Sequence, residues 1–389
     1  MTPSARISAA IVVLNQILSG ESAEKALTTW GRKNRFAGSK DRAALRDHVF
    51  DALRRRRSYA ALGGAETGRG IMLGALRHAG VPPEAMFTGE GHAPAPLSDA
   101  EQNAPDLARA PAPVRLDIPD WLYDRFDDSL GAQAEPVLSV LQSRAPVTLR
   151  VNLRKSDRAA AIALLAQDAI TCAPHPEVRT ALQVIDNERK IQLSQAYLTG
   201  VVELQDAASQ AAILRLPLQK SDRVLDYCAG GGGKSLAIAA LHDGPIFAHD
   251  IAPERMRDLG PRARRAGVTV TCLRTAEVAQ HGPFDLILID APCSGAGTWR
   301  RAPEAKWRLT AADLTRLCAV QRGLLTEVAP MVAPGGTLAY ATCSVLHEEN
   351  KSQVAGFLAT NSGWQLVDEM QILPGPLWDG FYIAVLESA

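Results

Sequence analysis

The strongest constraint on the fold is an alternation of apolar strands and helices in the second half of the chain. Beginning at Val224, short apolar runs end in polar or glycine-rich turns and are separated by segments with helical patterning. Strands this apolar must be covered on both faces, as they are in a parallel sheet with helices on either side. The pattern therefore predicts a doubly wound, Rossmann-like α/β domain. Its predicted strands lie at 224–228, 245–250, 284–290 and 336–341.

The loop after the first of these strands is a candidate ligand site. Doubly wound sheets bind ligands at the carboxyl ends of their strands, and the sequence there, from Cys228 to Lys234, is CAGGGGK. Glycines allow a backbone to approach a ligand closely. Asp250 ends the next strand, at a position where a carboxylate accepts hydrogen bonds from ribose hydroxyls. The combination predicts a cofactor that contains adenosine.

Three classes of ligand compete for this loop. A phosphate-binding P-loop needs a glycine at position 228, where the chain has a cysteine, so that motif fails. A dinucleotide fingerprint fits the glycine run only loosely. S-adenosylmethionine carries a ribose and no phosphate, and it is compatible with both the glycines and Asp250. A purely structural turn remains as the alternative to a binding loop.

Two cysteines follow later strands at the same predicted edge. Cys293 lies in the sequence DAPCSG and Cys343 in the sequence ATCSV, and a serine follows each of them. A single cysteine is usually a buried, inert side chain, but two thiols at one ligand-binding edge favour chemistry. A zinc site is the other use of two thiols, and His347 lacks the spacing of a zinc-binding helix. We therefore expect no metal.

These groups suit methylation of a pyrimidine. Carbon 5 of the ring is a poor nucleophile until a thiolate adds to carbon 6, after which it can attack an electrophilic methyl group. A carboxyl group near ring nitrogen 3 stabilises the charge that develops during the addition. Asp290 lies three residues before Cys293, at the end of the same strand, and is the candidate for that role.

The rest of the chain divides by composition and charge. Residues 1–83 have helical patterning, 84–118 form an acidic linker rich in alanine and proline, 119–200 alternate as a small α+β subdomain, and 201–389 contain the motifs above. With 42 basic and 42 acidic residues the chain has no net charge, which excludes binding of polyanions through bulk charge. No apolar run is long enough for a membrane span, and no secretory signal is evident, so we expect a cytoplasmic protein without a membrane partner.

Taken together, the motifs resemble those of the Nop/Sun-type RNA cytosine-5 methyltransferases. The similarity extends to a lead-in segment, ELQDAASQ at 203–210, and to the run YATCSVLHEEN at 340–350. Residues around 147–153 resemble the small RNA-recognition subdomain of this family. Residues 39–57 resemble the NusB-like helical domain of its bacterial small-subunit rRNA enzyme, which implies that residues 1–83 bind RNA.

The resemblance implies a role for each motif residue. Cys343 would attack carbon 6 of cytosine, Cys293 would assist release of the methylated product, Asp290 would contact the base and Lys234 would support catalysis. The residues implied in binding S-adenosylmethionine are Cys228, Ala229, Gly230, Gly231, Gly232, Gly233, Lys234, Asp250 and Asp290. The implied partner is RNA, with small-subunit rRNA favoured and tRNA as the alternative, and a monomer is expected.

Basic segments give the expected RNA surface. Residues 32–57 hold ten Lys or Arg against three Asp, and residues 298–322 hold six Lys or Arg against two acids. The second segment includes the runs Trp299-Arg300-Arg301 and Lys306-Trp307-Arg308, a mixture that suits phosphate contact and base stacking. A helix face that merely meets solvent is the alternative for the first segment.

The chain also departs from the family pattern. The family loop reads CAAPGGK, whereas Gly230 and Gly231 stand here in place of Ala and Pro. The acidic residue that follows the third strand in the family, near the adenine, corresponds to Arg274 or Thr275. Three alternatives stay open: a non-catalytic RNA-binding assembly factor, a dehydrogenase, and an exchange of roles between Cys293 and Cys343, because a Pro-Cys pair also marks the nucleophile of DNA cytosine methylases.

Overall fold

The structure, a computed structural model, describes residues 1–103 and 105–389; position 104, within the predicted linker, lies outside the described residues. The chain divides into two compact units. The first comprises Met1–Arg144 and Trp299–Leu309, and the second comprises Ala145–Thr298 and Thr310–Ala389. This division differs from the predicted organisation, because residues 119–144 pack with the first unit.

Most of the first unit is helical, and the second unit has helices of its own between its strands. Among the described residues no helix is long and apolar enough to cross a lipid bilayer. In chain order the helices are α1 (Pro3–Leu18), α2 (Ala23–Lys33), α3 (Ser39–Arg54), α4 (Arg56–Gly63), α5 (Gly68–His78), α6 (Asp99–Gln102), α7 (Ala112–Arg115), α8 (Asp120–Leu130), α9 (Ala134–Leu141), α10 (Arg158–Gln167), α11 (Gln195–Leu198), α12 (Ala207–Ile213), α13 (Gly233–Ala239), α14 (Leu259–Ala266), α15 (Thr275–His281), α16 (Pro303–Arg308), α17 (Ala311–Val328) and α18 (Lys351–Thr360).

The strands of the second unit form two sheets. In chain order the strands are β1 (Thr148–Val151), β2 (Thr171–Pro174), β3 (Ala181–Asp186), β4 (Val202–Leu204), β5 (Val224–Asp226), β6 (Ile246–His249), β7 (Thr271–Leu273), β8 (Phe284–Asp290), β9 (Val332–Thr342), β10 (Trp364–Ile372) and β11 (Phe381–Ser388). The small sheet is antiparallel with the order β2-β3-β1-β4.

The large sheet has the order β10-β11-β9-β8-β5-β6-β7. Strands β5 to β9 are mutually parallel, and β11 and β10 complete the sheet in antiparallel orientation. Leu225 of β5 is paired with Phe247 on one side and Ile287 on the other, and all three are buried. The doubly wound prediction is confirmed, and the carboxyl ends of β5, β6, β8 and β9 lie along one edge.

The small sheet is joined to the large one through polar side chains of β1 and the turn that follows it. The Asn152 amide donates to the carbonyl of Ala266 at 2.8 Å, and the Arg154 guanidinium donates to the carbonyl of Ala239 at 2.6 Å. Hydrogen bonds to main-chain carbonyls at helix ends satisfy acceptors that the helix leaves open. These contacts fix the small sheet beside α13 and α14.

Some basic residues of the predicted RNA surface instead make hydrogen bonds inside the first unit. The Arg54 guanidinium donates to the carbonyl of Arg300 at 2.9 Å, and Lys306 donates to the carbonyl of Arg54 at 3.4 Å. Trp299 is 1% exposed and packs on Phe126, with ring centroids 5.6 Å apart. The prediction that Trp299, Arg300 and Lys306 contact RNA is therefore wrong, because tertiary packing buries them.

Candidate functional site

A cavity of about 800 Å³ opens at the carboxyl edge of the large sheet, entirely within the second unit. Its volume is in the range of sites that enclose a small-molecule cofactor. The predicted site residues that line it are Cys228, Ala229, Gly230, Gly231, Gly233, Lys234, Asp250, Asp290, Cys293 and Cys343. The structure thus brings together residues from four separate strand ends.

The glycine loop owes its shape to backbone conformations that favour glycine. Gly230 and Gly232 have φ values of +52° and +77°. A Cβ atom at Gly232 would lie 2.2 Å from the Cδ1 atom of Leu259, so the loop closes tightly on α14. Gly232 therefore shapes the loop, while its neighbours line the cavity.

Asp250 anchors this loop. Its Oδ2 atom accepts a hydrogen bond from the Gly230 amide at 2.9 Å, and its Oδ1 atom accepts one from the Ala252 amide at 3.0 Å. The carboxylate is 2% exposed and also pairs with Arg255 at 3.3 Å. A glycine cradle next to a held carboxylate fits an adenosine group, with the carboxylate available to ribose hydroxyls.

The two cysteines of the predicted site are in contact. The Cys293 and Cys343 sulfur atoms lie 3.4 Å apart, and the Thr298 hydroxyl donates to the Cys343 sulfur at 3.8 Å. The hydrogen bond from Cys293 lowers the pKa of the Cys343 thiol, with further help from Lys234 and Thr298. The same contact, together with burial, raises the pKa of Cys293. Cys343 is therefore the more acidic of the two thiols.

Lys234 and Asp290 form an ion pair beside these thiols. The Lys234 ammonium lies 2.6 Å from the Asp290 carboxylate and 5.0 Å from the centroid of the Phe381 ring. Burial lowers the pKa of Lys234, but Asp290 more than offsets this effect, so the net pKa is raised and the lysine stays charged. A positive charge is thus held at the cavity close to both Asp290 and Cys343.

The sequence patterns missed two residues that support the glycine loop. Arg150 of the small sheet is buried and donates to the carbonyl of Gly233 at 2.9 Å. Asp226, at the end of β5, accepts a hydrogen bond from the Ser235 hydroxyl at 2.6 Å. Burial raises the pKa of Asp226 to about 7. Arg150 lies in a different module with no motif around it, whereas the abrupt polar end of an apolar strand could have indicated Asp226.

At the departure expected after the third strand, Arg274 and Thr275 make contacts with other protein side chains. Thr275 forms a hydrogen bond with the His249 imidazole at 2.9 Å, and Arg274 pairs with Glu277. Ile251, which lines the cavity next to Asp250, is 79% exposed. An apolar side chain at this position offers a surface on which a planar base can lie, and the sequence patterns did not single it out.

Solved structures similar to this chain share its fold. A methyltransferase homolog protein from Pyrococcus horikoshii aligns with a TM-score of 0.63 and 24% identity, over 72% of this chain and 98% of that one. NSun6 from the same organism, crystallised with SFG, aligns with a TM-score of 0.62 and 18% identity, over 69% and 98% of the two chains. Both support the Rossmann-like methyltransferase fold.

Family models and curated relatives identify the family as well as the fold. Residues 213–387 match the model described as 16S rRNA methyltransferase RsmB/F, and residues 118–192 match the ferredoxin-like domain of RsmF/B-like methyltransferases. Ribosomal RNA small subunit methyltransferase B of Vibrio cholerae is 34% identical over 287 residues, which are 70% of this chain and 66% of that protein. The corresponding protein of Salmonella arizonae is 32% identical over 291 residues, which are 71% and 68% of the two chains. The match thus spans about two thirds of these relatives.

S-adenosylmethionine is the cofactor that agrees with the glycine cradle, the held Asp250 and these relationships. The chain belongs to the RsmB/F family of S-adenosylmethionine-dependent RNA methyltransferases.

Proposed function

We propose that this chain methylates carbon 5 of a cytosine in small-subunit rRNA through a covalent adduct with Cys343. The observation that carries the proposal is the pair of sulfur atoms 3.4 Å apart beside the Lys234–Asp290 ion pair, on one cavity wall. S-adenosylmethionine, when bound, supplies the electrophilic methyl group. A protein that only binds RNA has no need of two thiols in this arrangement.

Cys343 is the proposed nucleophile because its thiol is the more acidic of the pair. Its sulfur would bond to carbon 6 of the cytosine, which moves electron density to carbon 5 and allows that carbon to accept a methyl group. The Cys293 thiol hydrogen bond and the Lys234 charge both favour the reactive thiolate of Cys343.

Asp290 is proposed to hold the cytosine ring. As the thiolate adds, negative charge develops on the ring and ring nitrogen 3 takes up a proton from solvent; the Asp290 carboxylate can then accept a hydrogen bond from that N–H. Its contact with Lys234 at 2.6 Å fixes the orientation of the carboxyl group. The ion pair therefore orients the group that contacts the base, while its two members act on Cys343 in opposite directions: Asp290 raises the pKa of that thiol and Lys234 lowers it.

Cys293 is proposed to assist release of the product. Release removes the proton from carbon 5 and breaks the bond between carbon 6 and the Cys343 sulfur. While the adduct exists Cys343 is a neutral thioether, so the neighbouring thiolate that raises the pKa of Cys293 most is gone. Cys293 then loses its own proton to solvent more readily, and its thiolate can take the carbon 5 proton while the C–H electrons form the bond between carbons 5 and 6 and the Cys343 sulfur leaves as a thiolate.

RNA contact by the first unit is proposed for residues 32–40. Arg32, Lys33, Arg35 and Lys40 are exposed there, and Phe36 is 74% exposed. Cations for phosphates next to an aromatic ring suit single-stranded RNA.

Lys40→Ala should reduce the slope of log affinity against log salt by about 1, whereas Arg56→Ala should leave it unchanged, because Arg56 pairs with Glu66. Filter binding across a salt series measures both; equal slopes would remove the segment from the RNA surface.

The decisive experiment supplies labelled S-adenosylmethionine with separated, unmethylated small-subunit rRNA and tRNA. We expect label at one rRNA cytosine, identified as 5-methylcytosine by mass spectrometry. Label in tRNA alone would keep the chemistry and overturn the proposed target. Label at another atom would overturn the mechanism. If naked RNA accepts no label, the same assay on the small ribosomal subunit decides between a particle substrate and a non-catalytic factor.

A further inference from the structure

Glu349 holds the loop that carries Cys293. This carboxylate is fully buried and accepts hydrogen bonds from both the amide and the hydroxyl of Ser294, the amide at 2.8 Å. The buried Gln321 amide donates to Glu349 at 3.1 Å and to the carbonyl of Pro292 at 2.9 Å. The residues on both sides of Cys293 are thereby tied to one buried carboxylate and its partner.

Asn350 holds the loop that carries Cys343 in the same way. This side chain is also fully buried; its Oδ1 atom accepts from the Thr342 hydroxyl at 2.6 Å. Its Nδ2 atom donates to the carbonyl of Ser344 at 3.0 Å. The residues on both sides of Cys343 are thus tied to one amide.

The two anchors are consecutive residues, which couples the two loops. The main-chain ladder between β8 and β9 continues as far as the Asp290–Ala341 pair, so both cysteines lie beyond the ladder. Beyond the ladder the two loops are joined directly where the Gly297 amide donates to the carbonyl of Cys343 at 2.9 Å, and indirectly through the segment at 349–350, which contacts both. Burial of a carboxylate is unfavourable unless it is fully hydrogen-bonded, and this one receives three donors.

We propose that Glu349 and Asn350 are positioning residues that fix the distance between the two thiols, Glu349 through the Cys293 loop and Asn350 through the Cys343 loop. The consequences for catalysis rest on the proposed function, but the geometric claim does not. A shift of about 1 Å at a reacting group is enough to reduce a rate by up to about 100-fold.

The first test measures the acidity of the Cys343 thiol and does not depend on methyl transfer. Cys343 faces Cys293, Lys234, Asp290 and Thr298, and loss of the Cys293 contact should raise its pKa. The rate of Cys343 alkylation by iodoacetamide, resolved by peptide mass spectrometry, is followed against pH in the full chain. We expect Glu349→Ala and Asn350→Ala to move the midpoint upward by about one unit. Glu349→Gln should restore it, since the amide can keep the hydrogen bonds to Ser294.

Control variants distinguish a specific effect on the position of the thiols from a general loss of packing in the segment around Glu349 and Asn350. Gln353→Ala removes a buried amide of the same segment that donates instead to the carbonyl of Glu348, and it should leave the midpoint unchanged. If an alanine variant does not fold, Ser294→Ala and Thr342→Val remove the partner hydroxyls and should shift the midpoint in the same direction. An unchanged midpoint in the folded variants, or an equal shift with Gln353→Ala, would overturn the proposal.

The second test uses cytosine and 5-fluorocytosine RNA. Measured at a pH above the shifted Cys343 midpoint, where the thiolate is fully formed, Glu349→Ala should trap 5-fluorocytosine RNA at close to the wild-type rate but retain an adduct with ordinary RNA, whereas Asn350→Ala should still slow trapping at least about tenfold. If both variants lost adduct formation and adduct release to the same extent, the assignment of Glu349 to the Cys293 loop and Asn350 to the Cys343 loop would be contradicted. If the wild type traps no RNA, the proposed function fails, and the alkylation profile still decides the positioning claim.

Discussion

The glycine loop after β5 and the cysteine loops after β8 and β9 lie at one sheet edge but are built differently. The glycine loop depends on local backbone conformation, with positive φ at Gly230 and Gly232. The cysteine loops depend on buried side chains of the segment at 349–350: Glu349 accepts from Ser294 across 55 positions, whereas Asn350 accepts from Thr342 across 8. A cofactor can thus be bound through main-chain shape, whereas two thiols need side-chain anchors to be kept in contact.

The largest expected effect lies on the cysteine side. Cys343→Ala should abolish trapping of 5-fluorocytosine RNA and reduce turnover by about 10³-fold or more, because it removes the proposed nucleophile. Cys293→Ala should instead accumulate an unreleased protein–RNA adduct, visible as a slowly migrating band on a denaturing gel. The reverse pattern would exchange the roles of the two cysteines.

A second effect is a dependence of stability on pH beneath the glycine loop. Burial raises the pKa of Asp226 to about 7, so the folded chain holds a proton there that the unfolded chain releases near pH 4. Stability from this group is present below about pH 4 and is lost as pH rises to about 7, by about 4 kcal/mol. Asp226→Asn, which stays neutral, should lack this loss in urea unfolding series at several pH values. If the free energies of unfolding of the wild type and Asp226→Asn depended on pH in the same way, the raised pKa of Asp226 would be contradicted.

The smallest effect tests whether backbone shape dominates the glycine loop. Gly232→Ala places a Cβ atom against Leu259 at a positive φ and should lower the free energy of unfolding by about 1–3 kcal/mol. Gly233→Ala is the matched control, because its Cβ atom would meet nothing within 4 Å and its φ is unstrained. Its free energy of unfolding should change by less than about 1 kcal/mol. Equal destabilisation of the two variants would weaken the comparison.

The sequence predicted the doubly wound sheet well because its strands are continuous apolar runs. Strand 284–290 was predicted with its observed limits, and the cysteines were expected at one edge because the carboxyl ends of parallel strands meet there. The cysteine contact itself could not be predicted, since periodicity gives the edge and not the distance between two loops.

The basic segments show where such reasoning fails. A charge count treats Arg54, Arg300 and Lys306 like any exposed cation, yet Arg54 donates to a carbonyl 246 positions away and all three are buried. Burial lowers the pKa of Lys306 to about 8. Only residues 32–40 of the predicted surface keep both exposed charge and an exposed aromatic ring.

By itself the sequence determined the fold class, the glycine loop and the two thiols, because apolar periodicity and short motifs are local properties of the chain. Tertiary structure alone decided which basic residues face solvent, that Arg150 supports the loop at Gly233, and that Glu349 and Asn350 anchor the cysteine loops. The reason is physical. Burial and hydrogen bonding between distant residues depend on which surfaces pack together, and no local pattern records that choice.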